Sequence, residues 1–262
     1  MAQVIAIANQ KGGVGKTTTA MNLSAGLARK GKRVLALDFD PQANLSTYLG
    51  YVPTPGDVNI SSLMQLAATA APLPIEQAIL HNPEGIDYIP GSISLATADV
   101  FLASVMCREQ VLKRILTLPA ISNEYDYILI DCLPSLGVLL TNALAAANKV
   151  IIPVQAQYFS LEGLRQLLQV VGMVKNALNP TLVIGGFIVT MCDKTNMSKA
   201  VEQALIDQYG DNTFQTTISR RIEASESTNE QRSLIGRAGS VVGAEYAALV
   251  DEILAQEETH NE

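Results

Sequence analysis

The sequence predicts a doubly wound α/β fold, a mainly parallel sheet with helices on both faces, and three observations carry that expectation. Short apolar runs recur at residues 4–8, 33–37, 125–130, 150–154 and 182–191. Such uninterrupted runs are the mark of strands buried on both faces. Segments with apolar residues at helical spacing separate them, at 19–28, 138–148 and 164–178. Two of the runs end in acids, Asp38 with Asp40 and Asp131. Carboxylates at strand ends belong at the edge where open α/β sheets bind ligands.

The elements follow in order. Residues 4–8 form the first strand and 19–28 the first helix, stopped by Lys30-Gly31-Lys32. Residues 33–40 return as a parallel strand through a right-handed crossover. Residues 51–85 read as a surface connection carrying one helix near 60–69, with a short strand at 86–89. One or two helices span 95–118, and Pro119 ends them. Strand 125–131, helix 138–148, strand 150–154, helix 164–178 and strand 182–191 complete the alternation. A last strand is expected at 213–219. A final helix at 241–256 docks Val242, Tyr246, Leu249 and Ile253 on the sheet. An acidic tail begins at about 257, and residues 1–262 are read as a single domain.

Composition narrows the function. Hydrophobic residues make up 48% and charged residues 16%, so a substantial core is expected. The net charge of −7 argues against a broadly basic nucleic-acid surface and leaves room for a local patch. Cys107, Cys132 and Cys192 lack any C-x-x-C spacing and read as buried small apolar residues in a reducing cytosol. The N-terminus leads straight into a strand, so no signal peptide is expected. No apolar run approaches the roughly 18 residues of a membrane span.

Between the first strand and first helix lies Lys11-Gly12-Gly13-Val14-Gly15-Lys16-Thr17-Thr18. Strand, glycine loop and helix is the context of a phosphate-binding loop. The glycines let main-chain N–H groups converge on one anion, and the helix N-terminus adds positive potential. Lys16 is expected to reach the β- and γ-phosphates of ATP, and the Thr17 hydroxyl to ligate Mg²⁺. Asp131, ending an apolar strand, is expected to hold that Mg²⁺ through water; the alternative reading is a helix N-cap.

Gln10 and Lys11 stand where the common loop carries its first glycine and next residue. This two-lysine loop resembles the deviant Walker A loop of the ParA/MinD superfamily. The segment Asp38-Phe39-Asp40-Pro41-Gln42-Ala43-Asn44 resembles the family's switch segment, and Pro153, Tyr158, Gly163 and Leu164 follow another family pattern. The stretch after Asp131 departs from it, with Leu133 in place of the first of two prolines.

The resemblance implies an ATPase that forms a homodimer around two ATP molecules. Lys11 reaches the partner subunit's phosphates, and Asp40 orients the attacking water in the second shell of the metal. Gly12, Gly13, Val14, Gly15, Lys16, Thr17 and Thr18 cradle the nucleotide, with Met191, Asp193, Ser219 and Arg220 as adenine-side candidates. It also implies a cytoplasmic, nucleoid-associated protein that partitions DNA with a stimulating ParB-like partner. Lys194, Lys199, Arg221, Arg232 and Arg237, with Arg220, are the DNA candidates. Two departures bear on this: Ser219 replaces a proline, and Glu223 stands where many relatives carry a DNA-binding arginine. Three other classes stay open. A MinD-like or protein-cluster positioning ATPase is one, although an acidic tail disfavours membranes. The others are an iron-protein-like electron-transfer ATPase and a metabolic ligase of the dethiobiotin-synthetase kind.

Overall fold

The computed structural model describes residues 2–157 and 160–260, with the side chains of 160–162, 259 and 260 outside the description. Seven strands form one sheet: β1 Gln3–Ile7, β2 Val34–Phe39, β3 Leu80–Asn82, β4 Ile86–Ile89, β5 Tyr127–Cys132, β6 Lys149–Gln155 and β7 Val183–Thr190. Their order is β3-β4-β2-β5-β1-β6-β7, and every pair is parallel except β3 with β4. All six residues of β2 and of β5 are buried, as their apolar runs require when helices cover both faces.

Each face has its own core. One packs Leu139, Leu140, Leu164, Leu167, Ile60 and Leu63 from helices Val138–Ala146, Ser160–Ala177 and Ile60–Ala68 against the sheet. The other packs helix Lys16–Arg29 and the C-terminal helix Val241–His260. Val242, Tyr246, Leu249 and Ile253 are buried there as expected, each such side chain contributing about 1.5–3 kcal/mol. The two helices meet closely: a Cβ on Gly26 would lie 2.6 Å from Val250 Cγ2.

Pro153 interrupts β6, yet it does no harm. The β1–β6 pairing ends at Ile7 with Ile151, so the missing N–H would face a loop rather than a strand. The Pro153 carbonyl is claimed by Asn9 Nδ2 at 2.6 Å.

Several expectations need correction. Residues 213–219 are not a regular strand. Phe214 and Ile218 donate to the β7 carbonyls of Phe187 and Val189, but only isolated bridges form. The other edge is taken by the C-terminal helix: Glu252 accepts from the amides of Gln215 and Thr216 at 2.8 and 3.1 Å, and Glu245 from that of Ser219 at 2.7 Å. Carboxylates thus blunt the edge where another strand would pair.

Pro119 opens a helix, Pro119–Ser122, as its first residue, as well as following the previous one. Region 95–118 breaks into short turns, with helices Ala98–Phe101 and Val111–Leu116. The tail from 257 is helical to His260; Glu257 pairs with Lys149 at 2.9 Å and accepts from the Tyr127 hydroxyl. Of the cysteines, Cys132 is buried, Cys192 half-buried and Cys107 exposed, so Cys107 is no core residue. The antiparallel edge strand β3 and helices Asn44–Tyr48, Asn196–Tyr209 and Glu223–Asn229 were not anticipated. Tyr158 lies outside the described residues.

Candidate functional site

β1 lies between β5 and β6, while the chain leaves it for β2 on the far side of β5. The crevice at its carboxyl end is therefore a topological switch point, and the glycine loop fills it. Gly13 and Gly15 have φ of +69° and +91°, left-handed values that a side chain would strain. One local and one long-range contact hold the loop. Asn9 Oδ1 accepts from the Lys11 amide at 2.9 Å, and Thr190 Oγ1 donates to the Val14 carbonyl at 2.8 Å.

Lys16 begins the helix and is 6% exposed. Its Nζ curls back to the Lys11 carbonyl at 3.2 Å. Burial lowers its pKa, opposed by the nearby charges of Asp131, Cys132 and Asp40. Beneath it, Asp131 is flanked by Ile7 of β1 and Asp38 of β2. Both Asp131 oxygens are buried and make no hydrogen bond among the described residues. Burial first, and the Asp38 charge second, push this carboxyl well above its usual range. The Thr17 hydroxyl and Lys16 pull it down, although Thr17 makes no hydrogen bond of normal geometry to either oxygen.

A buried carboxylate without partners is costly unless a cation completes it. Its surroundings fit Mg²⁺, which takes one or two carboxylates and keeps water and phosphate oxygens as its other ligands. No group of three or more His, Cys, Asp or Glu side chains with ligand geometry exists among the described residues.

Asp38 is occupied instead. Ser46 donates to Asp38 Oδ2 from its amide at 2.7 Å and its hydroxyl at 2.6 Å. Burial still raises Asp38 to about 6. Asp40 is half-buried, and its Oδ1 accepts from the Gln42 amide at 2.9 Å. Gly91, after β4, presses against both: a Cβ there would lie 2.9 Å from Asp38 Cγ and 3.0 Å from the Asp40 carbonyl. Lys11 points outward, its Nζ 3.0 Å from Gln157 Oε1.

Beside the loop is a cavity of about 530 Å³ lined by Gly15, Thr18, Thr190, Met191, Ser219 and Arg220, among others. The fold thus brings three of the four adenine-side candidates together. Asp193 does not line this cavity; it shares the adjoining depression with Ser219 and Arg220. Its carboxylate braces Thr195, the N-cap of helix Asn196–Tyr209, accepting from the Thr195 amide at 3.0 Å and the Ser198 hydroxyl at 2.7 Å, bonds that lower its pKa.

The basic candidates divide into two groups. Lys194, Lys199, Arg220 and Arg221 line one depression, with Glu202. Arg232 and Arg237 line another, with Arg29 and Glu84, and Arg237 sits 3.4 Å from Glu230. Glu223 serves the fold instead. Its Oε1 accepts from the Val242 amide at 2.9 Å, capping the C-terminal helix.

Sequence reasoning missed Asn9, Ser46, Gly91, Thr190 and Glu245. Asn9 alone carried a local signal, its place directly before the loop.

A buried lysine and an unpartnered acid under a glycine loop, at the switch point of a parallel sheet, define a phosphate-binding-loop protein of the nucleoside-triphosphatase class. Comparisons agree. A family model described as "AAA domain" matches residues 2–184. The chain is 43% identical over 257 residues to the sporulation initiation inhibitor protein Soj of Bacillus subtilis, covering 97% of this chain and 99% of Soj. It is 37% identical to the chromosome partitioning protein ParA of Caulobacter vibrioides, covering 97% and 95%. A solved structure described as cobyrinic acid a,c-diamide synthase from Mycobacterium smegmatis with bound ADP and magnesium superimposes with a TM-score of 0.82 at 32% identity, covering 99% and 97%. The chain belongs to the ParA/Soj family of chromosome-partitioning ATPases.

Proposed function

We propose that this ATPase is an ATP-dependent dimerisation switch that acts in DNA partition. The observation that carries the reading is Asp131, a buried carboxylate without a hydrogen bond directly beneath Lys16 and the glycine loop. ATP and Mg²⁺ supply the transferable phosphoryl group and the neutralisation of its charge. The chain's residues do the rest. Main-chain N–H groups of Gly12 to Thr18 and the Lys16 ammonium hold the phosphates, Thr17 and Asp131 orient the metal, and Asp40 orients the attacking water. Lys11, free to leave its exposed contact with Gln157, reaches the phosphates of a second copy. The charge it adds there stabilises both the dimer and the transition state. Loss of the γ-phosphate removes the bridge, and the copies part.

The ATP-bound dimer works with non-specific DNA and a ParB-like stimulating protein in the cytoplasm over the nucleoid. No helix among the described residues is long and apolar enough to cross a membrane. The deciding experiment is a DNA-binding titration with ATP, ADP and no nucleotide at two salt concentrations. ATP-specific, salt-sensitive binding is expected; equal binding in all three states would refute the switch. Because the basic residues are divided and Glu223 is a helix cap, positioning of a non-DNA cargo is the second reading. It predicts ATP-dependent dimers without DNA affinity. A metabolic enzyme, as described for the superimposed synthase, predicts no ATP-dependent dimer.

A further inference from the structure

One wall of the cavity beside the phosphate loop is formed by two laced chain segments, with Val242 and Tyr246 of the C-terminal helix also lining the space. The end of β7 continues into Met191, whose φ of +55° is left-handed. For a residue with a side chain that conformation costs on the order of 1 kcal/mol and must be held by its surroundings. The second segment, residues 218–220, is laced to the first: the Cys192 amide donates to the Ile218 carbonyl at 2.9 Å, and the Arg220 amide to the Cys192 carbonyl at 2.8 Å. Ser219 lies between these bonds and faces the other way. Its amide donates to Glu245 Oε2 at 2.7 Å, and its hydroxyl to Glu245 Oε1. Ser219 and Arg220 line the cavity; Glu245 stands behind them on the C-terminal helix.

We infer that Glu245 is a positioning residue for nucleotide binding, clamping Ser219 so that the Ser219–Arg220 turn forms a rigid wall for the nucleoside half of the ligand. The inference rests on the nucleotide site proposed above. A two-point carboxylate clamp removes freedom from the wall before the ligand arrives, so less is lost on binding. Seven residues on, Glu252 grips the same segment at Gln215 and Thr216. Neither of those residues, nor Glu252, lines the cavity. Glu252 therefore has the same chemistry in the same packing and serves as an internal control. Among the described residues the Ser219 amide donates to no other group. A proline at 219 would remove that N–H together with the hydroxyl, both of which serve Glu245, and would restrict the segment by its own ring.

The test measures Mg·ATP affinity and steady-state hydrolysis for the full chain. Glu245→Ala is expected to weaken binding about tenfold, the loss of a charged hydrogen-bond pair. It should raise KM with kcat nearly unchanged, and Glu245→Gln, which keeps one acceptor, should fall between. Glu252→Ala should leave both constants near wild type. Adding Ser219→Pro to Glu245→Ala should recover most of the lost affinity. Unchanged binding in Glu245→Ala, an equal loss in Glu252→Ala, or no recovery in the double variant would each overturn the clamp. If Glu245→Ala does not fold, Glu245→Gln with and without Ser219→Pro decides between the same outcomes. A wild-type chain that fails to bind Mg·ATP defeats the nucleotide site itself, a result distinct from all of these.

Discussion

Asp38 and Asp131 are register partners on adjacent strands, and only one of them is satisfied. Ser46 gives Asp38 two hydrogen bonds, while Asp131 has none among the described residues. Both carboxyls are raised by burial. The native state therefore holds protons that the unfolded chain, with carboxyls near 3.8, releases. For Asp38 that stabilisation is full below the unfolded value and is lost as pH rises through about 6. At neutral pH the pair strains the metal-free fold. Asp131→Asn should raise the metal-free stability by on the order of 1 kcal/mol, about 2–4 °C in Tm. It should also abolish the extra stabilisation by Mg²⁺ with ATP. Calorimetry with and without the ligands checks both, and a lower metal-free Tm contradicts the reading.

Lys16→Ala should eliminate ATP binding, because the buried ammonium is the principal cation over the loop. Lys11→Ala should bind ATP within a few-fold of wild type yet stay monomeric with it, since among the described residues the Lys11 ammonium bonds to Gln157 and to no group of the phosphate loop. Nucleotide titration and gel filtration separate the two lysines. Dimers of Lys11→Ala with ATP would defeat the bridging role.

Asp40→Ala should trap an ATP-bound dimer with hydrolysis lowered by about 10²-fold or more, the usual weight of a water-positioning group. Normal turnover in this variant would assign the water elsewhere.

Glu223→Arg should have two effects of different origin. Losing the cap on Val242 costs about 1 kcal/mol of stability, read as a lower urea midpoint. Reversing the charge should strengthen DNA binding and steepen its salt dependence. Ser240 also caps this helix, its Oγ accepting from the Gly243 amide at 2.8 Å, so unaltered stability would show that Ser240 suffices and that the Glu223 bond adds nothing.

Gly26→Ala should destabilise the fold by about 1–3 kcal/mol, because the new methyl meets Val250 and Ile235 at 2.6 and 2.8 Å. A helix-propensity gain instead would mean that the two helices separate easily.

The parallel sheet was legible because its strands are continuous apolar runs, whose burial needs no long-range information. β3 escaped because three residues, one of them exposed, carry no period. Residues 213–219 misled for a different reason. They have a strand's composition, but their outer amides bond to Glu245 and Glu252, far along the chain. The phosphate loop was readable as local order: strand, glycines, lysine, helix. Ser46, Gly91 and Thr190 shape the same site from three other elements, and no local spacing announces them. Asp193 follows β7 at the ligand edge, and no local spacing announces that its carboxylate engages Thr195 and Ser198.

The C-terminal helix is a strut about 30 Å long. Glu245 fastens it at one rim of the sheet, where the glycine loop lies. Glu257 fastens it at the opposite rim through Lys149 and Tyr127, which open β6 and β5. Shortening the chain before Glu257 would remove the far fastening and leave Glu245, Glu252 and the apolar face to hold the brace, so trimming a stretch that looks dispensable would loosen the support of a wall half the molecule away.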